Sequence, residues 1–148
     1  MTSLTRVGQT QGRDDRQDAI RFCTHCGEVT DDAPQRVCPA CHWGVILTCA
    51  REAAPRPGAP FLIVTSDLRV SAASATTEPL FGDPDQVVGT SLLDIVRGDL
   101  ALPRQVARAA MGSRAQATTW VRTEEHGRPR KARIATCTSP PAAIVVLS

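Results

Sequence analysis

Four cysteines fall within nineteen residues of the sequence, Cys23, Cys26, Cys38 and Cys41, in the pattern C-x2-C-x11-C-x2-C. Two residues between the members of a pair let one tight turn aim two thiolates at a single ion. Two such turns complete the tetrahedral four-sulfur shell that zinc favours in structural sites. Gly27 follows the first pair, where the backbone must turn sharply and present N–H groups to sulfur. Pro39 fixes φ inside the second pair. A shell of four thiolates is closed to water and substrate, so the metal is expected to act in folding and not in catalysis.

With "CTHCGE" and "CPAC" as its two knuckles, this segment resembles a zinc ribbon. The glycine usual after the last cysteine is replaced by His42, with Gly44 two residues on. Iron of the rubredoxin type uses similar knuckles, but within an aromatic core this segment lacks; a redox pair would need one C-x-x-C in a βαβ context. With four thiolates available, His25 and His42 read as solvated knuckle residues. Residues 1–59 hold seven Arg against seven Asp or Glu, and Asp31 and Asp32 stand between the knuckles. A nucleic-acid ribbon would carry Lys or Arg there, so the charge points to a protein partner. Removing the metal is expected to unfold residues 20–50 and leave the rest standing.

The elements around this motif must be built from small aliphatic side chains, because only five of 148 residues are aromatic. The net charge of +2 is too small to imply a nucleic acid or anionic membrane by itself. Residues 1–19 are polar, without periodicity or an apolar signal-peptide core, and read as a disordered arm. No apolar run is long enough to span a membrane, and a cytoplasmic location is expected, where paired cysteines hold metal more often than they form disulfides. The ribbon occupies 20–50 and ends in the strand-like "GVILTCA". Three prolines and a glycine in "REAAPRPGAP" make 51–60 a stiff, unpaired linker, and 61–148 a second domain.

In that second domain, "PFLIVTSDLRVSAAS" reads as strand, turn at Ser66-Asp67, strand. Short helical turns punctuated by Gly82 and Gly89 follow. "ALPRQVARAAMG" is a helix with Leu102, Val106, Ala109 and Ala110 on one face, Pro103 in its first turn and Gly112 at its stop. "AQATTWVRTEE", "RKARIATCTS" and "AAIVVLS" are strands, the first two joined through "HGRPR". In the first of these strands Thr119 and Val121 share one face, and Trp120 and Arg122 the other.

The hairpin, "LFG" (Leu80 to Gly82), "VVG" (Val87 to Gly89) and "SLLDIV", in this order, resemble a PAS domain over about residues 60–148. The fold class is therefore α+β: a small zinc ribbon joined to a PAS-like five-stranded antiparallel sheet with helices on one face. Ser74 stands where PAS domains often have Asn, which implies weaker local capping. Residues 75–112 lack the reactive Cys of flavin-type photosensors, and the long helix lacks the His that ligates haem, so neither cofactor signature is present. His126 reads as a solvated turn residue, and Cys49 and Cys137 as small buried hydrophobes. A ligand pocket between sheet and helices would involve Ile63, Phe81, Leu93, Val106, Val121 and Ile134, although a packed core fits the small side chains better.

No catalytic constellation appears in the sequence. The expected function is a non-enzymatic regulatory protein: a PAS-like sensor or interaction domain with a structural zinc ribbon, acting through a partner protein. No kinase, cyclase or helix-turn-helix output is expected, and homodimerisation through the sheet or a flanking N-terminal segment is implied by the PAS resemblance. The alternative is a nucleic-acid-associated transcriptional regulator using the ribbon and the basic "RPRKAR" of Arg128 to Arg133. That stretch reads more simply as a solvated hairpin.

Overall fold

The computed structural model describes residues 19–30, 36–123, 127–138 and 140–148. The N-terminal arm before Ala19, Asp31 and Asp32, and His126 therefore lie outside the described residues. Among the described residues eight strands form one antiparallel sheet: β1 (Ala19–Cys23), β2 (Val29–Thr30), β3 (Ile46–Ala50), β4 (Phe61–Val64), β5 (Val70–Ala73), β6 (Ala117–Val121), β7 (Arg130–Thr138) and β8 (Ala142–Leu147). Their order is β2-β1-β3-β7-β8-β4-β5, with β6 also on β7. Strands β1 to β3 thus continue the sheet formed by β4, β5, β7 and β8. They share the β6 edge of β7, where β6 pairs with Arg130–Ile134 and β3 with Cys137 and Thr138.

Between β5 and β6 run four short helices, α1 (Glu78–Phe81), α2 (Pro84–Val87), α3 (Leu92–Ile95) and α4 (Leu102–Ala110). Gly82 and Gly89 end the first two turns at φ +82° and +91°, a region closed to most side chains. The expected face of α4 is buried, through Leu102, Val106, Ala109 and Ala110, and the helix lies on β7 and β8. Alternation along the strands makes two cores. Leu62, Val64, Val121, Ala132, Ile134, Ala143, Val145 and Leu147 face the helices. Phe61, Ile63, Ala135, Cys137, Ile144 and Val146 face the other way, and are covered by Ile20, Phe22, Leu47 and Cys49. This is a mixed fold, an antiparallel sheet with few and short helices.

Strands β1 and β3 cover that outer face because the sheet rolls back on itself. In a flat sheet β1 and β4 would stand about 19 Å apart, four strand spacings. Instead the Phe22 and Phe61 rings meet edge to face at 5.7 Å between centroids. Two expectations change here. The sheet face expected to serve in pairing is covered by residues of this chain's own β1 and β3. The Pro-rich segment is also packed at its start: Arg51–Ala53 form a 3-10 turn with Ala53 buried. Arg133 from β7 donates hydrogen bonds to the carbonyls of Glu52 (2.5 Å) and Ala54 (2.8 Å).

Candidate metal centre

The four cysteines converge, with their Sγ atoms all within 4.8 Å of one another. Cys23 and Cys41 are 3.6 Å apart at sulfur, and Cys26 and Cys38 are 3.8 Å apart. A tetrahedral ion with metal–sulfur bonds of about 2.3 Å requires sulfurs about 3.8 Å apart, so the donor set fits zinc in type, number and spacing. The thiols are free of disulfides. Such an ion would supply a crosslink between the two knuckles.

Backbone geometry explains how a short sequence aims four sulfurs. Gly27 N–H donates to Cys23 O, and His42 N–H to Cys38 O, both at 3.0 Å, so the two knuckles are copies of one turn. Each closes on a positive φ, +76° at Gly27 and +62° at His42. His42 therefore occupies the glycine position of its knuckle in the glycine conformation. N–H groups of His25 (3.3 Å) and Cys26 (3.4 Å) point at Cys23 Sγ, and that of Ala40 (3.4 Å) at Cys38 Sγ. Gly44 is required by space: a Cβ there would overlap Cys23 Sγ and lie 2.8 Å from His25 N.

The same environment sets the thiol acidities. Burial pushes Cys23 up to about 12, opposed by the N–H groups of Cys26 and His25. Burial also raises Cys26. At Cys41 burial acts upward too, but the N–H groups of Trp43 and Gly44, with the Cys23 and Cys38 thiols, bring it down to about 7. Cys23 and Cys38 are buried with Ile46, whereas Cys26 is exposed, so the metal end has one dry side and one wet side.

The first knuckle meets Ala75 and Phe61 through specific contacts. His25 O accepts a hydrogen bond of 2.7 Å from Ala75 N–H, at the start of the helical segment. A Cβ on Gly27 would stand 3.3 Å from the Phe61 ring. Ser74 is buried next to this contact. Its hydroxyl accepts from Phe61 N–H at 3.0 Å and pairs with Thr76 Oγ1 at 2.7 Å. The expected weaker capping at Ser74 is thus replaced by a different task, holding the first residue of β4.

The residues named for an interior ligand pocket are divided between two faces of the sheet and the surface. Val106, Val121 and Ile134 share the helix-side core, and Phe81 packs against it. Ile63 lies on the opposite face of the sheet, because Leu62 and Val64 take the inward positions of β4. Leu93 is 44% exposed, since the single turn of α3 turns Leu92 inward instead. Residue alternation in "FLIV" could have separated Ile63 from Leu62 only with the identity of the inner face known.

Sequence reasoning missed β1, although "AIRFC" alternates, because the polar arm before it obscured the strand. It also missed an apolar surface at the metal end. Trp43 is 81% exposed, and Val29, Val37 and Val45 are exposed too, with Val37 bridged to Val45.

No family model matches the chain, and no curated protein matches it. Among solved structures it is similar to the PAS domain of nitrogen regulation protein NR(II) from Vibrio parahaemolyticus, at 21% identity over 62% of this chain and 88% of that one, with a TM-score of 0.49. It is also similar to a domain of an HTR-like protein from Haloarcula marismortui ATCC 43049, at 16% identity over 61% of this chain and 94% of that one, with a TM-score of 0.42.

Proposed function

We propose that this chain is a non-enzymatic regulatory protein in which a zinc-bearing unit, residues 20–50, is joined through 51–60 to a PAS-like sensor or interaction unit, residues 61–148. The observation that carries this reading is the closed four-thiol site docked on the sheet by His25 O, Gly27 and Phe61. Zinc is structural here. Four sulfurs use every position of a tetrahedral ion, so its part is to hold the knuckle that presents Trp43.

Output passes to another protein of the cytoplasm. Exposed Trp43 near Val37 and Val45 supports this, because tryptophan is enriched where partners bind. A homodimer would use this tip, since the sheet's outer face is already covered. A small-molecule signal acts on the same assembly without being required by it. The nucleic-acid alternative has less support, since Arg133 of the basic stretch is committed to the carbonyls of Glu52 and Ala54.

Photo-crosslinking from position 43 in the source cell tests the reading. A recurrent protein adduct that disappears after Cys38→Ser is expected. Adducts dominated by nucleic acid, and lost as salt is raised, would replace this function with the alternative.

A further inference from the structure

Beside Ala19 a cleft of about 360 Å³ opens between β3, the Arg51–Ala53 turn, β7 and the segment that leads into β6. It lies apart from the metal centre and from the helix-side core. Its origin is the division of one strand edge between two partners. Lys131 and Ser148 exchange both backbone hydrogen bonds, so the odd residues of β7 bond to β8 and the even ones face β6 and β3. The pairing with β6 ends at Ile134 and that with β3 begins at Cys137. Thr136 lies between these two pairings and lines the cleft that they leave.

Side chains add to this. Thr136 Oγ1 is buried and has no hydrogen-bond partner. Thr48 and Thr138, opposite each other in the ladder, line the same cleft. Glu52 and Arg114, of opposite charge, also line it, and neither has an ion-pair partner among the described residues. The remaining floor is mostly alanine. A plain anion would meet Glu52 and a plain cation Arg114, whereas a molecule carrying both charges satisfies both. The volume is that of a small-ligand site, near the lower end of the usual range of about 300–1,000 Å³.

We propose that this cleft binds a free α-amino acid with a small or aliphatic side chain. Arg114 takes the carboxylate, Glu52 the ammonium group, Thr136 a polar atom between them, and the alanines the side chain. This goes beyond the regulatory reading and holds whether or not the protein signals. Binding would join β3 and the Arg51–Ala53 turn on one side to β7 and the approach to β6 on the other.

The test uses the full zinc-loaded chain and the standard free L-amino acids, one at a time at millimolar concentration, in thermal-shift and calorimetric titrations. At least one small or aliphatic amino acid should raise the melting temperature, and its N-acetyl and carboxamide derivatives should not. Arg114→Gln and Glu52→Gln should each weaken binding by roughly tenfold or more, as loss of a charge-assisted contact does. Thr136→Val should weaken binding while leaving the unliganded protein as stable or more so, because an unpartnered buried hydroxyl is removed. The proposal is overturned if no free amino acid binds, if the blocked derivatives bind equally well, or if all three variants bind like the wild type.

Discussion

His42 holds φ +62° without being glycine, at a position where Gly27 of the sister knuckle holds +76°. The left-handed region costs a side-chain-bearing residue about 1–2 kcal/mol. His42→Gly should therefore raise the stability of the metal-loaded protein by up to about 1 kcal/mol, part of the gain being lost to the freer unfolded chain. Gly27→Ala should lower it by about 1–2 kcal/mol, through the same strain and through the Cβ that would crowd Phe61. Urea unfolding of both variants measures this; equal effects of the same sign would contradict the knuckle equivalence. Cys49 and Cys137 face each other across β3 and β7, and burial pushes both thiols up to about 12. They should resist alkylation in the folded protein at neutral pH, while metal-free Cys41, at about 7, reacts. Because the folded values exceed the ordinary 9.0, the unfolded chain loses these protons first. Their stabilising contribution is complete below about 9 and is lost as pH rises toward about 12. The double variant Cys49→Ala/Cys137→Ala should have a flatter fall of urea midpoint across that window.

At the scale of elements, the ribbon has two kinds of support. Its knuckles would depend on a metal, since among the described residues Cys23, Thr24, Cys38 and Ile46 are the ones buried there. Its strands β1 and β3 hang on the outer-face core through Ile20, Phe22, Leu47 and Cys49. The expectation that metal removal unfolds all of residues 20–50 is revised accordingly. Chelation should strip hydrogen-exchange protection from the N–H groups of Gly27, Cys38 and His42, and leave those of Leu47 and Cys49 substantially protected. Loss of protection along all of β1 and β3 would show that the core alone cannot hold them. Arg133 is a second clamp, binding the turn after β3 to β7. Arg133→Gln should cost about 1–2 kcal/mol in urea unfolding, as loss of charged hydrogen bonds to partly buried carbonyls does. No change would mean that Ala53 packing alone holds the turn.

For the whole molecule, what the sequence made legible follows a physical divide. Spacing disclosed the cysteine cluster, because ligand geometry is local and two knuckles repeat one turn. Periodicity and breakers disclosed α4, β4 and β5, where Pro103, Gly112 and the Ser66-Asp67 turn mark the ends. What stayed hidden depended on contacts distant in the chain. The union of β3 with β7 joins residues about ninety apart, and nothing local in "LTC" or "TCT" specifies it. The roll that brings Phe22 onto Phe61 was hidden for the same reason, and with it the covering of the sheet's outer face. The misplacement of Ile63 came from the same ignorance of which face of β4 would meet the helices. A chain with five aromatics places two of them, Phe22 and Phe61, where the ribbon meets the sheet, and leaves Trp43 at the exposed metal tip.

Native mass spectrometry of the full chain, purified without added metal, tests the central claim most directly. The account predicts a bound mass equal to a single zinc ion, lost together with the exposed Trp43 environment when Cys38 is changed to Ser. A metal-free chain that keeps the fold of both knuckles would contradict it.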